Sequence, residues 1–280
     1  MGVMMIFSAA PSLKDARFTH ANGAVCTRSG QAVVPIIRLG DEALPGAEGG
    51  VFLLDATALH AEALLHAAQR LTERFDKVAV AADGRPVLLR APDPDGRGVR
   101  DLVKRPELLA AFVSAALQAS AQTPVSLLMP FVSTADQLAC VRHTMEQTMR
   151  TLTEQDLPFD ELTELGAELA TPAAVLCSRA LASEADLLFL AVDRLAELTL
   201  ACPLATPEFS SLLQAGASAL LRLIEVAVGN AHLAGRRIFL GGQLCEQEGL
   251  LPHLIAMGVD GITTTSEGHG ELCRRIRSCL

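Results

Sequence analysis

Three arginines, Arg90, Arg97 and Arg100, fall within the segment Leu88 to Arg100 (LLRAPDPDGRGVR), with Asp93 and Asp95 among them. A guanidinium offers a rigid fork of donors that matches a phosphate or a carboxylate, so a cluster of them suits an anion. The competing reading pairs Arg90 with Asp93 or Asp95 and leaves the rest as a solvated loop. Further along, Glu168, the adjacent Asp193 and Arg194, Gln243, and Thr263 to Thr265 are polar positions that follow apolar runs. Cys245 lies near Gln243, where a thiol is either a proton donor or a small buried hydrophobe. The histidines carry less. His60 and His66 are six residues apart rather than four, so they form no helical metal pair, and His232 and His269 stand singly as structural or exposed residues. No H-E-x-x-H, P-loop or G-x-S-x-G motif occurs.

Eight short apolar runs must position these residues: Ala32 to Ile37, Val51 to Leu54, Val87 to Arg90, Ser126 to Met129, Leu165 to Leu169, Leu187 to Val192, Ile238 to Gly241 and Ile262 to Thr265. Helical patterns separate them, the clearest being Thr57 to Phe75, Pro106 to Ala119, Thr134 to Thr153, Phe209 to Leu233 and Glu267 to Ser278. Alternation of this kind reads as parallel strands buried on both faces and joined by crossover helices. Eight such units predict an α/β fold of the (β/α)8 TIM-barrel type, whose chemistry sits at the C-terminal ends of the strands. Those ends are where Arg90 to Asp93, Pro130, Glu168, Asp193, Arg194, Gln243 and Thr263 fall. An open doubly wound sheet is the alternative, weakened by the lack of a G-x-G-x-x-G after an early strand. Thr134 and the Thr171-Pro172 pair supply helix starts, while Gly235 and Gly258 supply helix ends. Residues 1–28 read as a loosely patterned arm and 29–280 as the barrel.

Composition excludes several roles. Against 23 Lys and Arg stand 32 Asp and Glu, a formal charge of −9, and there is no Trp or Tyr. A polyanion would be repelled and a nucleobase would find no stacking platform, so no nucleic-acid partner is expected. Seven cysteines without a C-x-x-C pair read as reduced thiols in the cytoplasm. Met4 to Ala10 is too short for a secretory signal, and the apolar stretch Leu212 to Val228 holds Arg222 and Glu225, so no membrane partner is expected either.

The segment GRPVLLRAPDPDG, Gly84 to Gly96, resembles the strand and loop of the phosphoenolpyruvate (PEP)-utilising barrel family, known as the C-terminal barrel of enzyme I of the bacterial sugar phosphotransferase system. RPELLAAFVSAALQAS (Arg105 to Ser120), LLMPFVSTADQL (Leu127 to Leu138), GAELATPAAVL (Gly166 to Leu176), DLLFLAVDRLAELTLA (Asp186 to Ala201), IFLGGQLC (Ile238 to Cys245) and LIAMGVDGITTT (Leu254 to Thr265) resemble further family segments in order. The resemblance runs from Ser29 to the C-terminus. It implies a barrel that binds PEP through arginines and a Mg²⁺ ion held by one glutamate and one aspartate, with a cysteine as proton donor.

Carried over by position, the resemblance gives a phosphate-binding arginine at Arg90, a second at Arg97 and a neighbouring one at Arg100. The metal glutamate falls on Ala170, the metal aspartate on Arg194, and the asparagine before it on Asp193. The Cys-Gly-Glu triplet falls on Gly241-Gly242-Gln243, and a further substrate arginine on Leu204. His20 is only an echo of the phosphorylated histidine, which belongs to a swivelling domain for which this chain is too short. No metal is therefore expected, unless Glu168 and Asp193 act as substitute Mg²⁺ ligands; an ion pair from Glu168 to Arg194 is the alternative. Arg194 itself either replaces the ion's charge with a metal-free clamp or pairs with Asp193 or Glu197. The implied function is a degenerate, homodimeric barrel acting as a small-anion sensor, for example of PEP, or as a scaffold for a protein partner. The other reading is an active enzyme on PEP, pyruvate or a related 2-oxo acid, which convergence of Arg90, Arg97 and Arg194 on one pocket, with Glu168 or Asp193 placed as base, would favour. If Arg90 clamps an anion, Arg90→Ala is expected to abolish the ligand response and barely change the free protein's melting point.

Overall fold

A computed structural model describes residues 23–40, 43–46, 48–57, 64–93 and 95–279, with side chains in the first helix from residue 68 onward. Most of the arm assigned to residues 1–28, including His20 and the Met4 to Ala10 stretch, lies outside the described residues, as do His60 and the side chain of His66.

The chain opens with a two-residue strand β1 (Val25–Cys26), antiparallel to the next. Eight parallel strands follow: β2 (Ala32–Leu39), β3 (Val51–Asp55), β4 (Val87–Arg90), β5 (Val125–Met129), β6 (Glu164–Leu169), β7 (Leu187–Ala191), β8 (Arg237–Gly241) and β9 (Gly261–Thr264). Each pairs with its successor, and β9 pairs back onto β2 with Val34 opposite Gly261 and Ile37 opposite Thr264, closing the barrel. The helices are α1 (Leu64–Ala82), α2 (Val99–Val103), α3 (Pro106–Ala119), α4 (Ala135–Glu154), α5 (Pro172–Leu176), α6 (Ser178–Glu184), α7 (Val192–Leu200), α8 (Phe209–Leu233), α9 (Leu251–Ala256) and α10 (His269–Ser278). This is the (β/α)8 barrel that the alternation predicts, and the open-sheet alternative falls with the β2–β9 pairing.

Strand alternation divides the core in two. Inward residues such as Ile36, Leu53, Leu88, Leu128, Phe189 and Phe239 form one buried cluster inside the barrel. Outward residues such as Phe52, Leu54 and Leu89 join the helices in a second, larger cluster, where Phe75 and Phe112 meet edge to face at 5.8 Å. Among the described residues α8 alone is long and apolar enough to cross a membrane. Here it is a barrel helix, with Leu220, Ile224 and Val228 buried as it packs on β7, β8 and α5 to α7.

The first helix departs from expectation at its C-terminal end. It runs past Phe75 to Ala82 because Leu71, Phe75, Val78, Ala79 and Ala82 continue one buried stripe. It stops where Asp83 and Gly84 adopt φ of 50° and 77° in succession. The expected start at Thr57 lies beside residues 58–63, which are outside the described residues. The strand expected to reach Val192 ends at Ala191, where the chain turns directly into α7.

The N-terminal end of the barrel is closed by charge. Arg237 Nη2 donates to both oxygens of Glu164, at 2.7 and 2.9 Å, and Ser126 Oγ donates to Glu164 Oε2 at 3.0 Å. With the Glu164 side chain only 1% exposed, Glu164→Ala removes the carboxylate from a buried ion pair and is expected to cost about 3–5 kcal/mol in a urea titration. His232 of α8 pairs with Asp260 at 3.1 Å, ahead of β9. That hydrogen bond, opposed by partial burial and supported by the carboxylate's charge, raises the His232 pKa. A raised folded-state pKa gives stability that is complete below the unfolded value, about 6.5, and is lost as pH rises through the folded value. His232→Ala should therefore flatten the decline in unfolding free energy above pH 6.5, as urea midpoints across that range would show.

Candidate functional site

The C-terminal ends of the strands surround an open cavity of about 380 Å³. Its charged lining comprises Arg38, Asp55, Arg90, Asp93, Glu168, Asp193 and Arg194, and Leu53, Phe131 and Phe189 supply apolar wall. Arg90, the last residue of β4, points inward by the alternation that also turns Leu88 inward. Its Nε donates to Glu168 Oε2 at 2.6 Å and its Nη2 to Glu168 Oε1 at 3.0 Å, a two-armed fork across the barrel. Nη1 donates to Asp55 Oδ2 at 3.1 Å, and Asp93 Oδ2 stands 3.7 Å from Nη2. Burial works against the arginine's charge, but Glu168 first, then Asp55 and Asp93, more than offset it and raise the Arg90 pKa. Arg90 thus pairs with Asp93, as one reading of the loop has it, but its principal partner is Glu168, 78 residues away.

The other arginines separate. Arg194 lines the cavity, donates to Glu197 at 2.7 Å and lies over the Phe131 ring at 5.8 Å. Glu197 is held below the usual carboxylate range: burial raises its pKa, but hydrogen bonds from Arg194 and the Leu204 N–H prevail. Arg97 and Arg100, expected in the site, point away from it. The Arg97 side chain is 69% exposed and 4.0 Å from Asp101, while Arg100 Nε donates to the Arg97 carbonyl. The cause is the tight loop around them. Gly98 has φ 69° and packs so closely on Pro130 and Phe131 that a Cβ there would lie 2.3 Å from Phe131 Cβ, while Val99 N–H donates to the Pro130 carbonyl.

A Mg²⁺ site does not fit these residues. Ala170 is buried and brings no side-chain oxygen. Both Glu168 oxygens accept from Arg90, and the Asp193 oxygens accept from Gln243 N–H at 2.7 Å and Leu244 N–H at 2.9 Å. A hard cation needs several oxygens free to turn toward it, so Glu168 and Asp193, the expected substitute pair, do not fit a Mg²⁺ ion as they are engaged here. The alternative Glu168–Arg194 ion pair is corrected, since Arg90 takes the glutamate. Among the described residues no group of three or more His, Cys, Asp or Glu could hold a metal ion.

No proton donor stands at the family's position either. A Cβ on Gly241 would lie 2.4 Å from Phe189 Cζ, so a ring fills the space a side chain there would need. Gln243 is exposed and takes part through its backbone N–H. Cys245 is fully buried and does not line the cavity; burial, then the Asp193 and Glu246 charges, push its thiol pKa up despite Arg38. Leu204 packs against the outer apolar cluster and does not block the mouth.

Sequence reasoning missed Arg38, Asp55, Thr57, Phe131 and Phe189. It ends the first two barrel strands at Ile37 and Leu54, where apolarity stops. Each strand continues through one more inward position, and those positions are Arg38 and Asp55. Counting two residues on from Ile36 and from Leu53 would have found them.

Residues 45–268 match a family described as PEP-utilising enzyme, PEP-binding domain. The chain is 27% identical over 164 residues to the phosphoenolpyruvate-protein phosphotransferase of Buchnera aphidicola subsp. Baizongia pistaciae, covering 59% of this chain and 28% of that protein. It is 24% identical over 246 residues to multiphosphoryl transfer protein 2 of Escherichia coli K12, covering 79% of this chain and 29% of that one. The chain therefore spans less than a third of the length of either relative. Among solved structures, RipC from Yersinia pestis superposes with a TM-score of 0.55 at 10% identity, over 87% of this chain and 94% of that chain, a likeness of fold alone.

The ion-pair geometry reverses the expectation for Arg90→Ala in the free protein. With Glu168 only 4% exposed, removing its guanidinium strands a buried carboxylate and should cost about 3–5 kcal/mol. Arg90→Met combined with Glu168→Leu should recover most of that loss, as a double-mutant cycle of urea midpoints would show.

Proposed function

Because the chain belongs to the PEP-utilising enzyme family, matching its PEP-binding domain over residues 45–268, we propose that it is a member whose barrel has lost phosphoryl-transfer chemistry and retains its mouth as a metal-free site for a small anion. The observation that carries this reading is the Arg90–Glu168 fork. One interaction engages both the arginine that the resemblance assigns to phosphate and the glutamate best placed to replace a metal ligand.

The chemistry argues the same way. Removing a phosphoryl group from PEP gathers negative charge on the departing group and on the enolate, and catalysis consists largely of placing cations where that charge develops. Here Arg90 already faces Glu168, Asp55 and Asp93, and Arg194 faces Glu197. Protonation of the enolate needs an acid, and the family's cysteine position is Gly241, closed over by Phe189. Convergence of Arg90, Arg97 and Arg194 would favour the reading as an active enzyme on PEP or another 2-oxo acid, and Arg97 does not line the cavity. The names of the relatives, phosphoenolpyruvate-protein phosphotransferase and multiphosphoryl transfer protein, supply the activity that is proposed to be lost.

The test follows two half-reactions with the full chain and Mg²⁺ present. Phosphoenolpyruvate is monitored by phosphorus NMR, and deuterium uptake at the pyruvate methyl group is monitored by proton NMR in D2O. Both rates should equal those without protein; acceleration of either one overturns the proposal.

A further inference from the structure

Three guanidinium groups line the mouth, and two of them are engaged by carboxylates of the protein: Arg90 by Glu168, Asp55 and Asp93, and Arg194 by Glu197. Arg38, at the inward end of β2, makes no ion pair or hydrogen bond among the described residues, and its buried Nε has no partner. On the neighbouring strand β9, the Oγ1 of Thr263 is likewise buried without a partner, and Thr263 also lines the cavity. The register sets Thr263 beside Ile36, two residues before Arg38, so the two orphaned groups share one side of the mouth. Buried polar atoms without partners are rare in folded proteins because an unmade hydrogen bond is costly, and two in one cavity wall point to a ligand that completes them.

Resting on the reading of a metal-free anion site, we infer that the ligand is a small, singly charged carboxylate held by Arg38 and Thr263, and that phosphate esters are excluded. The pairing of the cations sets the class. The lining's four carboxylates, Asp55, Asp93, Glu168 and Asp193, outnumber its three guanidinium groups, which disfavours a multiply charged anion, and Arg38 alone of the three has no ion pair among the described residues. One uncommitted cation matches one negative charge. A phosphate ester that also carries a carboxylate adds further charge with no second free cation to meet it. Backbone donors that could cradle a phosphate are occupied too, since Asp193 accepts from the N–H groups of Gln243 and Leu244. Leu53, the register partner of Arg38, and Phe189 and Ala191 of β7 give the cavity apolar wall for a short carbon skeleton, and about 380 Å³ admits a small molecule.

The experiment is a thermal-shift titration of the full chain without Mg²⁺, using lactate, pyruvate, inorganic phosphate and phosphoenolpyruvate as probes, repeated for Arg38→Gln and Thr263→Val. Lactate or pyruvate at saturation should raise the Tm by several degrees, while phosphate and phosphoenolpyruvate leave it unchanged. Arg38→Gln removes no ion pair among the described residues, so its Tm without ligand should stay near that of the unmutated chain while the ligand response disappears. Thr263→Val should weaken the response and tests the site even if Arg38→Gln folds poorly. The inference is overturned if neither carboxylate shifts the Tm, if the shift persists in Arg38→Gln, or if phosphate or phosphoenolpyruvate stabilises as strongly. Stabilisation by phosphoenolpyruvate without turnover overturns the ligand class alone, whereas turnover in the NMR assays overturns the reading beneath it.

Discussion

The two-armed ion pair between Arg90 and Glu168 spans the barrel from β4 to β6 just below the mouth, and the surrounding groups are arranged about it. A guanidinium at 14% exposure and a carboxylate at 4% are tolerable there only because each neutralises the other and the remaining donors find acceptors. Asp55 takes the second face of the guanidinium, and Asp93 approaches it while accepting from Gly98 N–H at 2.7 Å. That last bond fixes the loop after β4. The same loop turns Arg97 and Arg100 outward, so an interaction made to neutralise one buried arginine also decides where the others point.

Strand β6 carries this logic to both ends of the barrel. Glu164 and Glu168 are four residues apart, so both face inward, two layers from one another. Glu164 pairs with Arg237 of β8 and Glu168 with Arg90 of β4; the two arginines come from the strands two places away on either side, which share layers with β6. Gly166 sits between the glutamates, and a Cβ there would meet Leu187 Cδ1 at 2.8 Å, because the middle layer is filled from neighbouring strands. The barrel interior is thus an apolar belt with one buried ion pair above it and one below. Replacing either pair by well-packed apolar residues would cost little, which makes the pairs determinants of geometry more than sources of stability.

What the sequence reveals of this follows from the range of each interaction. Barrel strands and the long helices are local and periodic, so Pro106–Ala119 and Phe209–Leu233 are legible to the residue. The partner of Arg90 is not, because 78 residues separate it from Glu168 and only barrel closure brings strands two places apart face to face. The loop aspartates beside Arg90 in sequence suggest pairing, and Asp93 does approach it, but the dominant contact is the distant one. Arg38 and Asp55 escape for a different reason. Strand ends are read from the loss of apolar character, whereas at a barrel mouth the last inward residue is polar because it meets the cavity and not the core. Phe189 is plain in the sequence as a strand residue; its significance depends on its diagonal contact with Gly241, two residues beyond its register partner Phe239, a cross-strand relation that no spacing encodes.

A site that binds a multiply charged ligand must hold its cations unmatched until the ligand arrives, which costs stability in the free protein. This mouth has largely removed that cost internally: Glu168, Asp55 and Asp93 match Arg90, Glu197 matches Arg194, and Asp193 covers the N–H pair of the loop after β8. Groups satisfied in this way gain nothing further from a ligand, so their capacity to bind one falls as their contribution to the resting structure rises. Among the described residues that line the cavity, local rules remain broken at the wall where Arg38 Nε and Thr263 Oγ1 are buried without partners. Violations that persist in an otherwise satisfied cavity wall are where function is to be sought. By that argument, the anion site proposed for this mouth is centred on the β2–β9 seam and not on the β4 arginine that the family resemblance singles out.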